Sequence, residues 1–256
     1  MDLTLKEVQE YGTKMLRDVV TVCEKRGIQY FAIYGTLLGT IRHSGPIPWD
    51  YDIDIYVPEN QIGCFVEAIE NDLGEKYWVD YRNNTKIQRP FPRVGLRGFE
   101  TDILHLDVFR MSGLPNRRIN QRIITWIGRK LFVIWKSKTI DSIFYYPDMK
   151  RRVLTKIVSL ISWPVSANRA LHMIDSLCKK YEVMTTDYVG RIMGRGAIYP
   201  TRYFRKSILL PYDDFMIRVP EGYEQLLSQM YGDYMKFPPK EEQDRFLNMT
   251  YHVRAL

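Results

Sequence analysis

Three carboxylates, Asp50, Asp52 and Asp54, recur at every other position in the stretch Tyr34 to Val57, interleaved with Tyr51, Ile53 and Ile55. A period of two is the pattern of a β-strand, which would line the carboxylates on one face and bury the apolar residues on the other. Carboxylates held that close repel one another. A divalent cation removes the repulsion, and hard oxygen ligands of this kind suit Mg²⁺ or Mn²⁺. The first half of the stretch adds Gly35, Thr36 and Gly39 after an apolar run, then Arg42 and His43. Glycines let a backbone approach a phosphate, and a helix start points free N–H groups at it. A Gly-Thr pair after a strand is often an ordinary turn, and an exposed edge strand could carry alternating Asp with no ligand at all. The conjunction of the two is what points to a phosphate-and-metal site.

Flanking elements must position these residues. Val8, Tyr11, Met15, Leu16, Val19, Val22 and Cys23 recur at helical spacing, so Leu5 to Lys25 is expected to be an amphipathic helix ended by Gly27. Gln29 to Tyr34 reads as a buried strand, and Thr36 to Arg42 as a short helix whose first turn faces the phosphates. Pro58-Glu59-Asn60 breaks the chain and opens a helix through Leu73. Strands are expected at Tyr77 to Tyr81, Val94 to Leu96 and Ile103 to Arg110, separated by turns at Asn83-Asn84, Pro90, Pro92 and Gly98. The last strand places Asp107 among Leu104, Leu106, Val108 and Phe109. An unpaired carboxylate there is expensive, so Asp107 is either bonded to backbone amides or functional, with His105 on the same face.

With 256 residues, 45% hydrophobic and 26% charged, the chain can bury a full core and has the composition of a soluble globular protein. Its start, MDLTLKEVQEYG, lacks the basic stretch and apolar core of a signal peptide. Cys23, Cys64 and Cys178 lie far apart with no paired metal spacing, which suggests reduced thiols and a cytoplasmic location.

The net charge of +7 is concentrated in one segment. From Arg117 to Lys156 eleven Lys/Arg stand against Asp141 and Asp148, a balance of +9, while the rest of the chain totals −2. Apolar runs around Trp126 and Trp135, and a helix from Val153 to Trp163, alternate with this charge and are too interrupted to span a bilayer. The segment is either a helical insertion packed on the domain with a solvated rim, or a surface for an anionic membrane at the inner face. No familiar motif for nucleic acid accompanies the charge, and none is expected as a partner. Beyond it, Ser166 to Tyr181 reads as a helix. Gly190, Gly194 and Gly196 then form a loop that carries Arg191 and Arg195, with Arg195 a candidate phosphate contact.

The run Gly35-Thr36-Leu37-Leu38-Gly39 through Arg42, with Ile47-Pro48-Trp49-Asp50 and Asp52-Ile53-Asp54, resembles the LicD family of phosphocholine transferases, a branch of the nucleotidyltransferase superfamily with fukutin-type relatives. That family usually shows Asp where Tyr51 stands here. A second resemblance lies in the tail: Leu210 to Phe215, Val219-Pro220, Tyr231-Gly232-Asp233 and Pro238-Pro239, with Tyr212-Asp213 where Phe-Glu is usual. The resemblance implies an α/β (α+β) fold, a nucleotidyltransferase-like mixed sheet flanked by helices. Residues 1–116 would form the catalytic core, 117–182 a basic helical insertion, and 183–256 a part that completes the catalytic domain. It also implies that Asp52, Asp54 and Asp107 are the catalytic carboxylates and hold Mg²⁺ or Mn²⁺, while Gly35, Thr36, Gly39 and Arg42 hold the donor's phosphates. A CDP-alcohol such as CDP-choline would give its alcohol phosphate to a cell-surface glycan or its lipid-linked precursor and release CMP. Trp49, Tyr51 and Tyr56 are candidates for the quaternary ammonium, because a cation without donors is recognised by aromatic faces, and Asp50 and Asp213 are further candidate contacts. Two alternatives stay open: a true nucleotidyltransferase releasing pyrophosphate, and an inactive membrane-bound scaffold.

Overall fold

The computed structural model describes all residues except 1, 83–87, 101–102, 140–148, 195–196, 248–250, 253 and 256. After the short strand β1 (Asp2–Leu3), Thr4 caps helix α1 (Leu5–Arg26). Thr4 Oγ1 accepts the Glu7 N–H at 3.3 Å and Glu7 Oε2 accepts the Thr4 N–H at 2.7 Å, two otherwise orphaned donors satisfied reciprocally. Gly27 closes the helix with a left-handed φ of 66°, as its place after the last apolar residue predicts. The stripe Met15, Leu16, Val19, Val20 and Cys23 is buried in the main core.

A seven-stranded mixed sheet forms that core's floor, which places the chain in the α+β class. Its strands are β2 (Phe31–Ala32), β3 (Ile53–Pro58), β4 (Tyr77–Asp80), β5 (Arg93–Leu96), β7 (His105–Leu114), β8 (Tyr188–Gly190) and β9 (Ile198–Pro200), with β6 (Phe99–Glu100) lying outside it. The order is β2-β3-β7-β5-β4, and β8 joins the far end of β7 and carries β9. Among the described residues of the sheet only β3 and β7 run parallel, with Asp54 beside Asp107 and Tyr56 beside Phe109. Alternation therefore puts those four residues on one face and Ile53, Ile55, Leu106 and Val108 on the other. Helix α2 (Tyr34–His43) follows β2, and α3 (Ile62–Leu73) packs beside α1.

Several boundaries differ from the sequence pattern. β2 has two residues rather than the expected Gln29 to Tyr34, because the Gln29 N–H donates to the Gln61 side chain at 2.7 Å instead of a ladder partner. Strand β7 runs four residues past Arg110, where β8 supplies partners to Ser112, Gly113 and Leu114. The expected strand at Asp50 begins only at Ile53, for reasons given with the site. The turn expected at Asn83-Asn84 and the loop residue Arg195 lie outside the described residues.

In the basic segment, α4 (Arg118–Thr139) buries Ile124, Gly128, Leu131 and Trp135. These join Leu114, Ile192 and the helix Ala167–Cys178 in a second apolar cluster. One buried ionic knot ties this cluster to the sheet. Arg110, 1% exposed, donates Nε to Glu59 Oε2 at 2.7 Å, Nη2 to Glu59 Oε1 at 2.6 Å, and Nη1 to the Pro90 carbonyl at 3.0 Å and Asp175 Oδ1 at 2.5 Å. Removing one member leaves a charge stranded in a dry site, so Arg110→Ala should cost about 3–5 kcal/mol. Chemical denaturation checks this, with Ser112→Ala on the same strand as a milder reference.

Candidate active site

Two parallel strands and one helix start build the site. The Asp54 peptide is gripped on both sides: its N–H donates to Thr36 Oγ1 at 2.8 Å and its carbonyl accepts the Ile33 N–H at 3.2 Å. Register with β7 then sets the Asp54 side chain next to that of Asp107. Asp50 and Asp52 arrive differently. The Asp50 N–H donates to the Ile47 carbonyl at 2.9 Å, and Asp50 Oδ1 accepts the Asp52 N–H at 3.1 Å, so a turn with a side-chain cap replaces the expected strand. Gln9 of α1 fixes this turn by donating Nε2 to the Ile47 and Asp50 carbonyls at 2.9 and 2.7 Å. Of the three alternating carboxylates only Asp54 is a strand residue, yet all are brought together with Asp107.

The electrostatics record that gathering. Asp54 is raised well above the usual carboxylate range by desolvation first, then by Asp107, Asp52 and Asp50. Asp52, although its side chain reaches solvent, is pushed up to about 6 by desolvation and then by Asp50 and Asp107. Asp50 is raised by burial, against hydrogen bonds from the Asp52 and Tyr51 backbone. Asp107 Oδ1 accepts from Arg93 Nε at 2.8 Å, and His105 Nε2 lies 3.6 Å from the same oxygen.

Two residues that the sequence reading left unassigned face this group. The Arg191 guanidinium stacks 4.2 Å from the centre of the Phe109 ring and 5.8 Å from that of Tyr34, and its charge opposes the rise at Asp54. Its Nε is buried with no hydrogen-bond partner among the described residues. Tyr231 has its hydroxyl raised by desolvation and next by the charges of Asp54 and Asp50. The recurring Tyr-Gly-Asp of the tail was the available signal for Tyr231; Arg191 had only a glycine-rich loop to mark it.

The other expected site residues have structural employment. A Cβ on residue 35 would stand 2.6 Å from Asp50 Oδ2, so Gly35 makes room for a carboxylate of this chain at the first turn of α2, where the helix dipole favours an anion. Thr36 is buried and holds the Asp54 amide. Gly39 carries the Gly45–Ile47 turn, since a Cβ there would meet the Gly45 oxygen at 2.5 Å. Arg42 donates Nε to the Tyr234 carbonyl at 2.5 Å and Nη2 to that of Lys236 at 3.2 Å, and stacks 5.0 Å from the Phe237 ring centre. Asp50 therefore lies against Gly35, and the Gly45–Ile47 turn against Gly39.

Among the aromatic candidates, Tyr56 is fully buried, its hydroxyl 3.0 Å from that of Tyr34, and presents no face to a ligand. Tyr51 packs in a third apolar cluster, its ring centre 5.2 Å from that of Tyr251. Trp49 remains partly exposed in a cluster with His43 and Phe237, at 5.9 and 6.0 Å. Asp213 sits exposed in the tight turn between β10 (Ser207–Tyr212) and β11 (Phe215–Pro220), with φ of 55° and its N–H on the Ser44 carbonyl.

The carboxylate oxygens gathered here are of the kind that a hard divalent cation takes, and Arg93 and Arg191 are the countercharges beside them. Among the described residues no three acidic, His or Cys side chains close into a ready cage. The crowding itself is measurable. Asp52 is raised from its ordinary 3.8 to about 6, so the folded chain binds a proton there that the unfolded chain does not, and stability rises as pH falls through 6. In chelator-containing buffer Asp52→Asn should raise the thermal midpoint above pH 7, and that gain should shrink as pH drops through 6 toward 4. A gain independent of pH would show that Asp52 is not raised.

Comparison with known proteins meets this geometry. The pattern of the LicD/FKTN/FKRP nucleotidyltransferase domain matches residues 27–155, just over half of the chain. The lipopolysaccharide cholinephosphotransferase LicD of Haemophilus influenzae is 28% identical over 94% of this chain and 95% of its own length. The ribitol 5-phosphate transferases FKRP of human and mouse are each 45% identical over 96 residues, which is 36% of this chain and 19% of theirs. The matched segment contains β2, α2, the carboxylate turn, β3 and β7, and the chain belongs to the LicD/FKTN/FKRP family.

Proposed function

We propose that this phosphotransferase moves phosphocholine, or a related alcohol phosphate, from a CDP-alcohol to a hydroxyl of a cell-surface glycan or its lipid-linked precursor. The acceptor oxygen bonds to the phosphorus on the alcohol side, the bond from that phosphorus to the bridging oxygen breaks, and CMP leaves with the electron pair. The observation that carries the reading is the convergence of Asp52, Asp54 and Asp107 beside the cationic Arg191. The near full-length likeness to a protein named for cholinephosphate transfer supports the choice of donor.

Asp52, Asp54 and Asp107 would hold Mg²⁺ or Mn²⁺, which supplies charge neutralisation for a diphosphate. Arg191, held by stacking on Phe109, with no ion pair among the described residues, would place its cation toward the same diphosphate. Asp52, at the solvent edge, would take the proton of the acceptor hydroxyl on whichever of its oxygens the metal leaves open. Trp49, partly exposed, would offer the aromatic surface for a quaternary ammonium. Release of pyrophosphate from a nucleoside triphosphate, in place of CMP, would mark the nucleotidyltransferase alternative.

A screen of CDP-alcohols by thermal shift tests the donor. CDP-choline with Mg²⁺ should raise the midpoint, and Asp52→Asn/Asp54→Asn should abolish the metal-dependent part; silence toward every CDP-alcohol would count against the reading. Arg191→Ala should lower kcat/KM for the donor by about a hundredfold, with Arg191→Lys recovering part of it, as expected for a cation aimed at a developing phosphate charge.

A further inference from the structure

Helix Met149–Ile161 buries none of its residues. Leu154, Leu160, Ile161 and the following Trp163 are 60–81% exposed, and on the outer side of α4 Ile123 and Trp126 are 50% and 55% exposed. The two helices carry ten Lys/Arg and not one Asp or Glu. They are joined by Lys138 Nζ donating to the Ser159 carbonyl at 3.3 Å. Between them lies a groove of about 430 Å³ whose walls include Val133, Leu154 and Val158, with Lys136 and Arg151 among its lining residues. Exposed apolar side chains, two exposed tryptophans and a run of cations thus lie together on the surface of this helix pair.

We infer that this face docks on an anionic phospholipid bilayer, both helices lying in the interfacial plane with their aliphatic residues at the acyl boundary and their cations on lipid phosphates. Charge decides the occupant: a second copy would bring ten more cations to the same contact, whereas an anionic bilayer neutralises them and accepts the aliphatics together. Among the described residues no helix is long and apolar enough to cross, so the contact is peripheral. The inner side of α4 packs against the loop that carries Arg191. A Cβ on Gly128 would stand 2.4 Å from Ile192 Cγ2, so the docking helix is seated against the residue next to Arg191. Docking would then bring the carboxylate face close to the lipid surface. That last consequence rests on the proposed reaction; the docking itself does not.

Sedimentation of the full chain with vesicles of phosphatidylcholine, with and without phosphatidylglycerol, tests the inference in the absence of any donor or acceptor. The chain should sediment only with the anionic vesicles and be released by added salt. Leu160→Glu/Ile161→Glu and, separately, Arg151→Glu/Lys156→Glu should each weaken binding at least about tenfold while leaving the thermal midpoint unchanged, since all four residues are exposed. Failure to sediment, equal capture by neutral vesicles, or unaltered binding by both variants would overturn it. So would a dimer in solution that Leu160→Glu/Ile161→Glu splits, since the face would then be covered by a second copy.

Discussion

The parallel pairing of β3 with β7 is the constraint on which the site depends. It sets Asp54 directly beside Asp107, and two like charges on adjacent strands are unfavourable in a place that water barely reaches. Nothing local compels this arrangement. It is enforced by the opposite face of the same strands, where Ile53, Ile55, Leu106 and Val108 are buried beneath α1 and α3. A one-residue slip would turn those aliphatics out and the aspartates in, so the hydrophobic face holds the carboxylates in register against their own repulsion.

The surroundings lessen that repulsion without abolishing it. Thr36 and Ile33 fix the Asp54 backbone, Arg93 pairs with Asp107, and Arg191 lowers the potential at Asp54 from its perch on Phe109. Tyr34 opens α2 with a φ of 51°, a conformation that costs a bulky side chain about 1–3 kcal/mol, and its ring lies under the same guanidinium. Strain, crowded charge and a buried cation in one place are what a fold retains where it must bind something highly charged.

The same logic extends outward through α4. Its buried side completes a second apolar cluster with the helix Ala167–Cys178 and the turn that presents Arg191, and the Arg110 knot locks that cluster to the sheet. On its other side Ile119, Ile123 and Trp126 stay exposed. One helix thus serves both as a wall behind the site and as part of an exposed basic and apolar surface.

Local chemistry made some of this legible in the chain alone. Helix α1 and its glycine stop follow from apolar spacing and capping, and the acidic run with Asp107 in an apolar strand drew attention to the carboxylates, although Asp50 and Asp52 lie in a turn and not on the strand that their period of two suggested. The glycines were read correctly as places of close approach, but not what approaches: Gly35 admits Asp50 and Gly39 admits the Gly45 turn, and both contacts are set by how the chain folds back. Arg42 and Tyr56 looked available on the chain and are occupied, one by carbonyls 192 and 194 residues away, the other by complete burial. Arg191 was seen only as part of a loop, since its place over Phe109 depends on β8 joining the end of β7. Sequence determined which side chains could carry charge and which segments would be helix or strand; only the tertiary structure decided which charges meet, because that depends on long-range register and packing, which no local pattern encodes.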